Sequence, residues 1–220
     1  MKDVVTGAPF RQTILVTGFG AFPGARRNPT LAILEGLARH RQRLARLGIA
    51  IRCVALPVVY DAVEPALRAA VGPNGVDAIL HLGLAGRRGM FTVETRALNR
   101  AGPLHPDAAR RRPQPILANG APQVLRATYP AIRVRAALAH AGHEARLSID
   151  AGDYVCNATL YRSLAARLAP RVGFIHVPRA RANRPLARGR DTRPTLQAMT
   201  DAALAAVLVL AQGGTRQTER

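Results

Sequence analysis

The alternation of apolar and polar positions divides the chain into short segments of two periods. Residues 13–19 (TILVTGF) are a short apolar run ending in Gly18-Phe19-Gly20, which predicts a buried parallel strand running into a loop. Asn28-Pro29-Thr30 is a helix start, a polar residue followed by proline at the first helical position. Leu31, Leu34, Leu37 and Ala38 then mark one helix face, predicted to continue to about Leu47. Residues 49–59 read as a second strand and 61–71 as a helix with Val63, Leu67 and Ala70 on one side. Residues 78–84 (AILHLGL) read as a third strand, ended by Ala85-Gly86, and 91–99 alternate like a strand. Residues 100–122 are rich in Pro, Arg, Gly and Ala and read as a loop, either a cover over a site or partly disordered. A helix over 132–140, a strand over 144–149, a helix over 158–168, a strand over 172–177 and an alanine-rich helix over 195–211 complete the pattern.

Strands and helices alternate throughout, which predicts a single α/β domain over 13–211. The expected architecture is an α/β layered fold with a largely parallel sheet and right-handed crossovers, with 1–12 and 212–220 as loose ends. No repeat and no second domain boundary are visible.

Composition changes this picture in one respect. The net charge is +19, and of 32 basic residues only Lys2 is lysine. A compositional bias toward arginine explains this most simply. Phosphate contact with nucleic acid is the sharper alternative. Against it, the arginines are scattered, and four Tyr, five Phe and no Trp leave few rings to stack on bases. The densest basic stretch, 179–193, holds six arginines with Pro and Gly and reads as a solvated loop. No apolar run reaches the ~20 residues of a membrane span, and the first residues lack a signal-peptide pattern. Two cysteines with no need to pair fit a cytoplasmic protein. Metal-site spacings, a phosphate-binding loop and a G-x-S-x-G elbow are all missing, so neither metal nor cofactor is implied.

The chemistry concentrates at 148–157 (SIDAGDYVCN), where a strand turns into a helix. With Asp153 as the N-cap, Tyr154, Val155 and Cys156 are the first three helical residues. A thiol there faces unpaired backbone N–H groups and the positive end of the helix dipole, so its pKa is expected below the free value of about 8.5. The plainer reading is a small buried hydrophobe. His176, near the end of the strand 172–177, and Glu94, within 91–99, also lie beyond strand ends, where sites of open α/β sheets form. Thiol, imidazole and carboxylate are the parts of a cysteine hydrolase: nucleophile, base and orienter. His81 and Cys53 lie inside apolar strands and read as core residues.

Taken together, these motifs resemble the pyrrolidone-carboxylate peptidases (pyroglutamyl peptidase I). Four segments carry the resemblance, in family order. They are Val16-Thr17-Gly18-Phe19 with Phe22 and Asn28-Pro29-Thr30; Leu56-Pro57-Val58; Gly83-Leu84-Ala85-Gly86-Arg87 with Thr92-Val93-Glu94 and Ala97-Leu98-Asn99; and Ala151-Gly152-Asp153-Tyr154-Val155-Cys156-Asn157 with Gly173-Phe174-Ile175-His176-Val177-Pro178. The resemblance implies a single-domain α/β/α sandwich with a central, largely parallel twisted sheet, and a cysteine exopeptidase that hydrolyses the amide after an N-terminal pyroglutamyl residue through a thioester. It implies Cys156 as nucleophile, His176 as base and Glu94 as orienter. Phe19, Phe22, Asn28, Leu84 and Val155 would contact the substrate. N-terminally pyroglutamylated peptides would be the partners, a homo-oligomer is expected, and no cofactor is required.

The chain also departs from the family pattern. Gly20-Ala21 replaces a Glu-Pro pair, Glu94-Thr95 replaces Glu-Arg, and an arginine expected beside the site falls on Leu104. Arg96, Arg100 and His105 are candidates to replace it. Asp150 adds a negative charge upstream of Cys156 that would oppose a thiolate if it pointed inward. The alternatives are a diverged cysteine hydrolase of another N-acyl or lactam substrate, and a catalytically weak basic protein that binds polyanions.

Overall fold

The computed structural model describes residues 11–22, 25–181 and 193–212. Six strands form one sheet in the order β2-β1-β3-β8-β4-β7. In chain order they are β1 (Gln12–Phe19), β2 (Ile49–Leu56), β3 (Ala78–Leu84), β4 (Phe91–Glu94), β7 (Ala145–Ser148) and β8 (Arg171–Val177). A two-stranded ribbon, β5 (Arg96–Leu98) with β6 (Val124–Arg126), stands beside it.

The helices cover both faces of the sheet. Ile14, Val16, Leu80, Leu82, Ile175 and Val177 point to one core, shared with α1 (Pro29–Arg39), α4 (Ala131–His140) and α6 (Leu196–Gln212). Leu15, Phe19, Ile79, Val172 and Phe174 point the other way, toward α3 (Tyr60–Val71) and α5 (Val155–Ala165). Period-two alternation on central strands thus feeds two separate cores, and β3 is buried along its whole length.

Asn28 caps α1, its side chain accepting a hydrogen bond from Thr30 N, with Pro29 at the first helical position. The single helix expected to run to Leu47 is instead two: α1 ends at His40 and a short α2 (Arg41–Arg46) follows. The apolar stripe continues through Leu44 across the break, so periodicity alone does not reveal it.

The strand expected over 91–99 is also two. Thr95 divides β4, in the main sheet, from β5, in the ribbon. β6, three residues long, falls just after the stretch read as loop and carries no sequence signal. The sheet is parallel except at β4, which pairs antiparallel with β8 and parallel with β7. The basic stretch 179–193 lies mostly outside the described residues, as do 1–10 and 213–220; Gln12 and Gln212 belong to β1 and α6.

Residues 100–122 contain no helix or strand but are held in place. Asp107, almost fully buried, accepts hydrogen bonds from Tyr60 N, Ala109 N and Arg111 N. Gly102 N donates to Asp153 O at 2.6 Å, and Tyr154 Oη donates to Pro106 O. Gly102 permits this approach because a Cβ there would lie 2.3 Å from an Asp153 carboxylate oxygen. The segment is a buttress behind the turn 150–154; none of it lines the pocket at Cys156 among the described residues.

Candidate active site

The sheet register places the site. His176 on β8 pairs with Gly83 on β3 and with Thr92 on β4. Paired residues on neighbouring strands point to the same face, so His176 and Glu94, two residues beyond Thr92, share the face toward α5. A Cβ on Gly83 would lie 3.0 Å from Cys156 Sγ and 2.5 Å from the Phe174 ring. The thiol therefore sits over the bare backbone next to His176, which only glycine leaves open.

Glu94 is fully buried, and its Oε1 accepts from His176 Nδ1 at 2.8 Å. Donation from Nδ1 leaves Nε2 as the unprotonated nitrogen of the neutral ring. The same Oε1 accepts from Arg88 Nη1 at 2.6 Å, while Arg88 Nη2 donates to Asp150 O at 3.0 Å. Oε2 is buried with no hydrogen-bond partner among the described residues. Tyr129 Oη lies within hydrogen-bond reach of both Glu94 O and Phe174 O, fastening β4 to β8 behind the carboxylate.

Cys156 is the second residue of α5. The N-cap is Tyr154, not Asp153, and no side chain caps the helix. Asp153 points instead at Gly102, and the Tyr154 hydroxyl is engaged by Pro106. The first intrahelical bond runs from Ala158 N to Tyr154 O, so the N–H groups of Val155, Cys156 and Asn157 have no intrahelical acceptor.

The thiol pKa does not fall, as expected from the helix start; it is pushed up to about 12. Burial is the main cause and the nearby Glu94 charge the second, together outweighing the backbone N–H of Cys156 and the Arg88 guanidinium. The helix start favours a thiolate, but desolvation is the larger effect. Asp150 is not a cause: it is half-exposed, accepts from Gly152 N, and pairs with Arg100 at 3.1 Å.

A pocket of about 290 Å³ opens at this point, lined by Phe22, Leu84, Tyr154, Cys156 and His176, with the exposed Arg87 and Arg179 on its wall. Phe22 and Tyr154 are in ring contact, 5.8 Å between centroids. Of the other residues expected to meet the substrate, Phe19 and Val155 are buried in the core on the α3–α5 side, and Asn28 caps α1 while donating to Gly20 O. None of these three lines the pocket among the described residues. Of the candidates for the displaced arginine, Arg96 donates to Ile149 O, Arg100 is taken by Asp150, and His105 is exposed, like Leu104. Arg88, which sequence reasoning passed over, is the arginine at the carboxylate; its place six residues before Glu94 was the only signal of it.

Asn157 is the other residue whose part was not foreseen. Fully buried, it accepts from Leu98 N and donates to Leu98 O and Arg100 O, tying the start of α5 to β5.

A buried carboxylate holding an imidazole beside a thiol at an open helix start can carry acyl transfer through sulfur. The family model described as pyroglutamyl peptidase matches residues 12–212. The chain belongs to the pyroglutamyl peptidase family. The pyrrolidone-carboxylate peptidase of Gloeobacter violaceus is 35% identical over 169 residues, covering 75% of this chain and 80% of the relative. That of Thermococcus kodakarensis is 34% identical over 171 residues, covering 75% and 80%. Among solved structures, the pyrrolidone carboxyl peptidase of Thermus thermophilus superposes with a TM-score of 0.75 at 33% identity, covering 88% of this chain and 98% of that one. The Thermococcus litoralis enzyme gives 0.79 at 28% identity, covering 91% and 94%. The mixed sheet between two helical layers is thus the fold of pyroglutamyl peptidases. As a member of this family the chain is a cysteine peptidase, and no described helix is long and apolar enough to cross a membrane.

Proposed function

We propose that the chain removes an N-terminal pyroglutamyl residue from peptides, with Cys156 as nucleophile, His176 as base and acid, and Glu94 as orienter of the imidazole. The observation that carries this reading is the 2.8 Å bond from His176 Nδ1 to buried Glu94, on the sheet face where Gly83 makes room for Cys156 Sγ. In the resting site burial keeps the nucleophile a thiol. His176 Nε2 takes the thiol proton as sulfur adds to the pyroglutamyl carbonyl carbon. The oxyanion is met by the uncapped N–H groups at the start of α5, which a side-chain cap would have occupied. Collapse breaks the C–N bond, and the imidazolium gives its proton to the leaving amine. Water, deprotonated by His176, then attacks the thioester, releasing pyroglutamate and restoring the thiol.

Phe22, Leu84 and Tyr154 give the pocket an apolar wall suited to a flat, uncharged lactam. A diverged N-acyl specificity is the second reading, favoured by the exposed Leu104 standing where the family arginine is expected. We further read the protein as a cytoplasmic enzyme with both thiols free, and as a homo-oligomer, for which exposed Leu147, in the edge strand β7, and Ile149, just after it, offer a surface.

The deciding experiment is release of a fluorophore from a pyroglutamyl amide by wild type and Cys156→Ala. Wild type is expected to turn over and the variant to lose at least roughly 10⁴-fold in kcat. A folded, reduced wild type that leaves this substrate intact but cleaves another N-acyl amide would establish the second reading.

A further inference from the structure

A second groove, of about 440 Å³, adjoins the Cys156 pocket. Arg27, Arg179, Arg181 and Arg193 line it, with Pro29 and Leu196 among its apolar residues. No acidic side chain lines it among the described residues. The ion pairs among described residues engage none of Arg27, Arg87, Arg179 and Arg181. Arg179 is common to groove and pocket, and its Nε donates to Gly86 O, which fixes the side chain between the two. Arg87 adds a further positive charge on the pocket wall.

In a peptidase this continuity has a meaning. The Cys156 pocket has room for one small acyl group. The rest of the substrate must leave through an opening, and Arg179 marks the side where a charged channel begins. Building on the peptidase reading, we propose that the groove receives the leaving side of the peptide and selects substrates with acidic residues just after the scissile bond. Guanidinium groups along a channel attract side-chain carboxylates and repel lysine and arginine. The described lining has no aromatic residue on which a nucleobase could stack, so the groove suits a peptide better than a nucleic acid.

The test compares kcat/KM for three pyroglutamyl peptides of equal length, with two glutamates, two alanines or two lysines after the pyroglutamyl residue. The enzymes are wild type, Arg27→Ala/Arg181→Ala and Arg133→Ala/Arg135→Ala. The last removes the same charge from α4, where Arg133 contacts Gln212 at the far end of α6 from Leu196. Wild type is expected to favour the acidic over the alanine peptide about 10-fold at low salt, with the lysine peptide poorest. The ratio should fall below about 3-fold in Arg27→Ala/Arg181→Ala or near 0.5 M salt, and hold in the α4 variant. Lysine at both groove positions should restore most of it. Equal kcat/KM for the three peptides, or equal loss in both double variants, would overturn the proposal. So would salt-sensitive oligonucleotide binding lost in the groove variant without any peptide preference. Cleavage of the alanine peptide separates the two ideas: without it the peptidase reading fails and this inference with it, whereas its cleavage without acidic preference removes the groove assignment alone.

Discussion

His176 and Arg88 bond to the same oxygen of Glu94, at 2.8 and 2.6 Å, while the other carboxylate oxygen is buried without a hydrogen-bond partner among the described residues. Two donors on one oxygen keep the carboxylate from turning. Arg88 also supplies the positive charge that a fully buried carboxylate needs when its histidine is neutral.

Replacing Arg88 by Met therefore leaves Glu94 charged and paired only with a neutral imidazole. Breaking such a pair should cost about 3 kcal/mol in urea unfolding. With one donor fewer, the carboxylate holds the imidazole less firmly, and kcat should fall about 10-fold. Arg88→Lys should keep most of the stability. Unchanged kcat in a folded Arg88→Met enzyme would show that Arg88 does not act through the carboxylate.

Gly83→Ala puts a methyl group 2.5 Å from the Phe174 ring and 3.0 Å from Cys156 Sγ. No positive φ strains the substitution, since Gly83 is not among the glycines of that region. The fully buried Phe174 ring and the sulfur must both shift, so the variant should be less stable than wild type and lose about 100-fold in kcat as sulfur is displaced from His176. Full activity would mean that the thiol is not seated over Gly83.

The thiol of Cys156 is pushed up to about 12 and that of Cys53, chiefly by burial, to about 11. Neither should be a fast nucleophile at neutral pH without substrate. In a Cys53→Ser background, alkylation of Cys156 by iodoacetamide should accelerate about tenfold per pH unit between roughly pH 7 and 10. A plateau reached below pH 7.5 would reveal a resting thiolate–imidazolium pair instead.

His81 is fully buried between Thr17 Oγ1 at 2.7 Å and Ser163 Oγ at 3.0 Å, and burial lowers its pKa to about 3. Below about pH 6.5 the unfolded chain binds a proton there that the folded chain refuses. The stability tied to His81 is complete above that pH and falls as the pH drops toward 3, by about 2 kcal/mol at pH 5. His81→Asn should flatten that part of the stability–pH curve; an unchanged slope would place the acid sensitivity elsewhere.

These four positions also show what could be read from the chain itself. Gly83, Cys156 and His176 fall at strand and helix ends that the periodicity of the sequence located to within a few residues; it missed the end of β4 at Glu94, because 91–99 alternates as one strand. The reversal of β4 carries no such mark. Nothing in its four residues marks their direction, yet it is the antiparallel register on β8 that puts Glu94 diagonally beside His176. The rise in the Cys156 pKa was hidden for a related reason. The helix start is local and visible in sequence, whereas desolvation comes from β3, β4 and β8 closing around the sulfur. Arg88 lay among many arginines in an arginine-rich chain, and nothing in its own segment set it apart from Arg87.

The side chain of Asn157 joins the helix that presents the thiol to the ribbon strand following Glu94, through three hydrogen bonds. Local opening of 96–100 cannot proceed while leaving the start of α5 intact. Amide exchange at Leu98 and at Ala158, the first hydrogen-bonded amide of α5, should therefore share one rate, close to that of global unfolding. The enzyme would have no partly open, inactive form on the way to denaturation: on heating, catalytic activity and tertiary structure should vanish in a single transition.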